Sequence, residues 1–144
     1  MGCKSIWKGS SHKHEKPWGS EVSWRGPASY GKILTIKKGC RTSFKMNKIK
    51  DEVLHVTAGS IKATFSDEYF FNDPSQHPME TKILSKGDVL NVQSGCPYRI
   101  EAIEESVIVE IGNQSRSDVV RIMDDYGRAE SGVAHLAEII NENT

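Results

Sequence analysis

The stretch Lys32-Ile33-Leu34-Thr35-Ile36-Lys37-Lys38-Gly39 decides the fold class. In an extended chain Ile33, Thr35 and Lys37 fall on one side and Leu34 and Ile36 on the other, and Lys38-Gly39 then closes the run with turn chemistry. The same period of two recurs in Ser106–Ile111, where Val107 and Val109 oppose Ile108 and Glu110. Eight more short runs read as strands: Ser20–Trp24, Thr42–Met46, Glu52–Thr57, Ser60–Phe65, Thr81–Leu84, Val89–Val92, Tyr98–Ala102 and Asp118–Met123. Turn sequences such as Ala58-Gly59-Ser60, Lys86-Gly87-Asp88 and Ser94-Gly95-Cys96-Pro97 separate them. About ten strands with no helix between them predict an all-β antiparallel sandwich or barrel. Only the end departs: Val133, Leu136, Ala137 and Ile140 recur at helical spacing and predict one short C-terminal helix.

The 144 residues are 37% hydrophobic and 26% charged, which suits one globular domain with its own core. No apolar run is long enough for a membrane helix. A formal net charge of +0 argues against general nucleic-acid or membrane affinity. That total hides an asymmetry, because residues 1–50 carry twelve basic side chains against Glu15 and Glu21. Either the basic half meets an anionic ligand, or strands of both halves interleave and mix their charges. Three cysteines, Cys3, Cys40 and Cys96, with no CxxC and no secretory signal, predict a reduced, cytoplasmic protein without a disulfide framework. Residues 1–16 read as a polar arm in which His12 and His14 are solvated. Of Tyr69, Phe70 and Phe71, either one anchors the core, or all three cover the barrel or a dimer contact.

The glycine spacing resembles the two motifs of the cupins. Gly39 is followed after five residues by Lys45-Met46-Asn47, then Glu52, then Gly59; Gly87 leads to Gln93-Ser94-Gly95 and Tyr98. The motif glycines and the glutamate are present, and every motif histidine is replaced. Across residues 16–128 the chain is similar to the type II mannose-6-phosphate isomerase module. The resemblance is carried by Lys16-Pro17-Trp18-Gly19, Tyr30-Gly31-Lys32-Ile33-Leu34, Gly39-x-Arg41-x-Ser43 and the run Asp118 to Arg128 ending in Asp-Tyr-Gly-Arg. It implies a double-stranded β-helix, or jelly-roll barrel, over 17–128, a homodimer, and a site inside the barrel; the helix expected from the spacing above, with the tail, takes up 129–144. Guanylyl transfer, the partner activity of bifunctional members, is not expected because 144 residues leave no place for a nucleotide-binding half.

The resemblance implies a ligand set of Gln, His, Glu and His, and those positions fall on Lys45, Asn47, Glu52 and Tyr98. An ammonium cannot ligate a metal, and a neutral phenol is a poor ligand, so the inherited metal site is expected to be lost and no cofactor is expected. Burying the Lys45 ammonium requires a partner, so Lys45 is predicted to pair with Glu52 in the place of the cation, with Tyr98 hydrogen-bonding the same carboxylate. His55 falls on the outward face, and His77 and His135 read as surface histidines. Arg41, Lys86, Arg99, Arg121 and Arg128 lie in or beside the matching motifs and are candidates for binding a phosphate; Arg121 could instead close the final turn on Asp124 or Asp125. The sequence thus predicts a metal-depleted cupin that binds a sugar phosphate, nucleotide sugar or related carbohydrate without isomerase turnover. Two alternatives stay open. One is an active sugar isomerase or epimerase, requiring a divalent metal or an altered site; the other is a structural dimer whose barrel is filled by Phe44, Lys45, Met46 and Tyr98.

Overall fold

The computed structural model describes residues 2–113 and 119–126, and these contain strands and loops with no helix. Eleven strands run in order: β1 Ser11–Lys16, β2 Gly19–Arg25, β3 Tyr30–Ile36, β4 Phe44–Asn47, β5 Glu52–Ala58, β6 Ser60–Phe65, β7 Glu80–Ser85, β8 Val89–Val92, β9 Tyr98–Ala102, β10 Ser106–Gly112 and β11 Val119–Met123. Ten of them correspond to the runs predicted from alternation. The eleventh, β1, corrects the polar arm: its last six residues are an exposed edge strand paired along its whole length with β2. Period two is masked there because a polar edge strand has little to bury on either face. The predicted C-terminal helix, His135 and Arg128 lie outside the described residues.

Two antiparallel sheets form, ordered β1-β2-β3-β10-β5-β8 and β11-β4-β9-β6-β7. In the larger sheet the strands of the basic first third, β1, β2 and β3, lie side by side along one edge, and only β4, between β11 and β9 in the smaller sheet, is interleaved with the later chain, so the charges of the two halves stay grouped in one sheet and mix in the other. Ile36, Leu54, Val56, Ile61, Ile100 and Ile108 fill the space between the sheets. These are the residues that alternation places on one face of each strand, and their removal from water supplies the main driving force. Trp18, in the turn of the β1–β2 hairpin, is buried in the same core. Gly59 makes the turn between β5 and β6: its φ is +84°, and a Cβ there would run into Ser106 and the Glu105 carbonyl.

A second cluster lies on the other side of β4 and β11. Phe44, Phe70, Val120 and Ile122 pack there, with Met46 against them. Phe44 and Met46 therefore do not fill the barrel. They alternate with Lys45 and Asn47, and the 69–79 segment covers them. Phe70 is the buried anchor of the aromatic triplet, while Tyr69 stays exposed. His77 is not an unpartnered surface histidine, because its Nδ1 lies 2.7 Å from Asp67 Oδ2.

Candidate functional site

Four of the six strands in the larger sheet place polar side chains on the inner face at one end of the barrel. Directly paired residues of antiparallel strands share a face. The register runs Arg25–Tyr30–Gly112–Glu52 along one row and Ser23–Lys32–Glu110–Leu54 along the next. From the smaller sheet, Lys45 pairs with Tyr98 on one side and Arg121 on the other. The opposed Lys45 and Arg121 are like charges in direct cross-strand register, an arrangement that repels unless an anion lies nearby.

Glu52 is the centre. Its Oε1 accepts from Tyr98 Oη at 2.9 Å and from Asn47 Nδ2 at 2.5 Å. Its Oε2 lies 2.9 Å from Tyr30 Oη and 3.9 Å from Lys50 Nζ. Tyr30 Oη also lies 2.7 Å from Glu110 Oε2. A phenol carries one proton and cannot donate to two carboxylates at once, so the second contact needs a proton on a carboxyl group. Glu110 is the group that holds it. Burial, then the charge of Glu52 and the hydrogen bond between the two, pushes Glu110 up to about 7. Burial pushes Glu52 up too, but the hydrogen bond from Glu110, the charges of Lys45 and Lys50 and the Tyr30 hydroxyl outweigh it and hold Glu52 down at about 2. Two carboxyl groups in one buried site thus take opposite states, one neutral and one ionised. Burial, reinforced by the neighbouring carboxylates, pushes both Tyr30 and Tyr98 well up, so both remain donors. Gly112 makes the geometry possible, because a Cβ there would overlap the Tyr30 ring that lies across it.

The ion pair expected of Lys45 is made by Lys50 instead. The Lys50 side chain is 5% exposed, on Glu52 and 4.5 Å from the centre of the Tyr30 ring, and burial draws its pKa down against the pull of Glu52 and Glu110. Lys45 is only half-buried, with its ammonium 5.6 Å from the centre of the Tyr98 ring. The chain leaves the strand after Asn47, and the loop folds Lys50 back into the barrel, which strand alternation cannot foresee. Tyr98 and Asn47 do converge on Glu52. Arg41 and Arg99 go elsewhere: Arg41 grips Asp125 at 2.5 and 2.8 Å, while Arg99 donates to the Thr42 carbonyl at 2.8 Å and lies 3.6 Å from Asp125. Together they anchor the last described turn, so Asp125 is held by these two arginines. Lys86 sits on an exposed turn between β7 and β8. The site roles of Tyr30, Lys50 and Glu110 are not visible in motif spacing. A trace of Glu110 is legible, because it shares the inward parity of Ile108 in an otherwise apolar strand.

Two cavities flank this cluster. One, of about 220 Å³, is bounded by Tyr30 and Lys50 together with β1 and β2. The other, of about 540 Å³, is bounded by Tyr98, Phe65, Leu90, Val92 and Pro97. Solved structures share this arrangement of strands. An oxalate decarboxylase variant from Bacillus subtilis superposes with a TM-score of 0.69 at 15% identity, covering 83% of this chain and 33% of that one. The capsular polysaccharide assembling protein CapF from Staphylococcus aureus gives 0.65 at 16% identity, covering 80% and 32%. The fold is the cupin fold. This chain spans about a third of the length of those two chains. No protein-family model matches its sequence, and no curated protein does.

The cupin barrel invites a metal, and the residues here do not fit one. Among the described residues no three His, Cys, Asp or Glu side chains converge. Both oxygens of Glu52 are engaged, Glu110 keeps its proton up to about pH 7, Tyr98 holds its proton, and two ammonium groups stand nearby. Among the described residues the one metal donor left over in this cluster is Asn47 Oδ1, a buried acceptor with no hydrogen-bond partner there. A single amide oxygen beside two cations does not make a divalent site. Among the described residues no helix is long and apolar enough to cross a membrane.

Proposed function

We propose that this chain is a cupin that binds a carbohydrate, as a sugar phosphate or nucleotide sugar, without metal-dependent isomerisation. The observation that carries the reading is the Lys50 ammonium seated on Glu52, inside a cation-rich cluster that opens on two cavities. A protonated lysine meets the charge requirement of the motif glutamate from within the chain. The like-charged pair Lys45 and Arg121 favours an anionic partner. The sugar class itself rests on the resemblance to the type II mannose-6-phosphate isomerase module, and CapF, a structural neighbour, is described as a capsular polysaccharide assembling protein.

A second reading, a sugar isomerase or epimerase, is favoured by one specific feature. Tyr30 faces the smaller cavity and touches a neutral and an ionised carboxyl group, a pairing that suits proton transfer. Homodimerisation belongs to the same proposal: Val53, Val89 and Ile111 are exposed on the outer face of the six-stranded sheet, an apolar surface suited to a second copy. The test is mass-spectrometric metal content after incubation with Zn²⁺, Mn²⁺ or Co²⁺, followed by calorimetric titration with mannose 6-phosphate and GDP-mannose. Little metal with measurable binding is the expected result. Near one metal per chain overturns the reading of the cluster, and interconversion of mannose and fructose 6-phosphates in EDTA supports the second reading.

A further inference from the structure

We infer that the 220 Å³ cavity is an anion subsite for a phosphate or carboxylate group, and that strand β1 completes it. The inference deepens the carbohydrate reading and assigns the charged end of the ligand. Its walls come from three strands and one loop: His14 from β1, Ser23 and Arg25 from β2, Lys32 from β3, and Lys50. The register places them on one face, since His14 pairs with Glu21, Ser23 with Lys32 and Arg25 with Tyr30. Of these residues only Lys32 lies in a run that carries the family resemblance.

Charge and geometry both point to an anion. Three cations line the space against one carboxylate, Glu21, which Lys32 already engages at 3.2 Å. Lys50 is the informative member. Its pair with Glu52 spans 3.9 Å, beyond hydrogen-bond length, so the ammonium is neutralised at a distance while its N–H donors can still serve an acceptor in the cavity. Burial makes such a donor strong, because water screens it weakly. Size narrows the ligand. Drug-sized ligands occupy roughly 300–1,000 Å³, so this space encloses an anionic group with a few attached atoms and leaves the remainder of a larger ligand outside. If Lys50 served only to neutralise Glu52, Arg25 and Lys32 would be ordinary solvated charges and nothing would bind.

Inorganic phosphate and acetate are the probes, followed by ³¹P line broadening and ¹³C-acetate line broadening in the full chain at low salt. Neither contains a sugar, so the outcome is independent of the carbohydrate reading. Arg25→Gln at the exposed rim is expected to weaken binding about ten-fold, and Lys50→Met more strongly. Lys62→Gln, at an exposed position of β6 in the other sheet, serves as the control and is expected to leave it unchanged. The anion that broadens more identifies the source, phosphate or carboxylate. Equal broadening in wild type, Arg25→Gln and Lys62→Gln overturns the subsite, as does no broadening with either probe. The comparison of Arg25→Gln with wild type decides the matter by itself, even where Lys50→Met fails to fold. Absence of binding of both anions beside intact binding of uncharged mannose would sink the subsite alone.

Discussion

Replacing Glu110 by Gln and replacing Glu52 by Gln make the same chemical change and should have opposite consequences. Glu110 is pushed from an ordinary 4.5 up to about 7 because it is buried beside Glu52. A group whose pKa rises on folding stabilises the fold fully below its unfolded value, and that gain is lost as pH rises through the folded value. The window is therefore pH 4.5 to 7. The span of the shift, at about 1.36 kcal/mol per pH unit, sets a loss of about 3 kcal/mol across it. Glu52, held near 2, works in the reverse sense: its contribution is present above about 4.5 and is lost as pH falls through about 2, outside this window. Urea denaturation at pH 5, 6, 7 and 8 should show wild-type stability falling by about 3 kcal/mol and then levelling. Glu110→Gln imitates the neutral acid, so it should stay within about 1 kcal/mol of wild type at pH 5 and flatten the profile. Glu52→Gln strips the buried Lys50 of its counter-charge and should cost about 3–5 kcal/mol at every pH. A wild-type profile that is flat from pH 5 to 8, or equal destabilisation by the two variants, would refute the assignment of the proton to Glu110.

Three further outcomes follow from particular contacts. Gly112→Ala drives a methyl group into the Tyr30 ring and should cost about 1–3 kcal/mol, read as a lower Tm, while weakening the pH dependence just described. Asp125→Asn loosens the grip of Arg41 and of the buried Arg99; about 1–2 kcal/mol should be lost, and limited proteolysis should cut sooner near residue 125. Phe70→Ala opens a cavity in the second cluster, where the ring is fully buried, and chemical denaturation should show a loss of about 3–5 kcal/mol.

Much of the architecture is legible strand by strand. Alternation in Lys32–Lys37 and Ser106–Ile111, with glycine turns at Gly59 and Gly87, depends only on neighbours along the chain, and the strands form where it places them. The edge strand β1 does not show itself, because His12 and His14 carry no apolar partner to set a period. Asn47, Glu52 and Tyr98 are legible through the resemblance to the cupin motifs, and the structure brings all three into hydrogen-bond contact. Arg41 and Arg99 are legible as charges, but their partner Asp125 lies far along the chain, so the pairing that removes them from the cluster is hidden.

What the sequence determined by itself was local: the period of two, the turns and the all-β class. Tertiary structure decided which cation meets Glu52, because Lys50 lies in a loop whose direction depends on packing between the sheets. It also decided the state of Glu110. That residue's proton depends on burial and on Tyr30, eighty positions away in sequence and joined to it only when β3 pairs with β10. Side-chain type is written in the chain, whereas desolvation and charge–charge distance come into being only when distant strands close on one another.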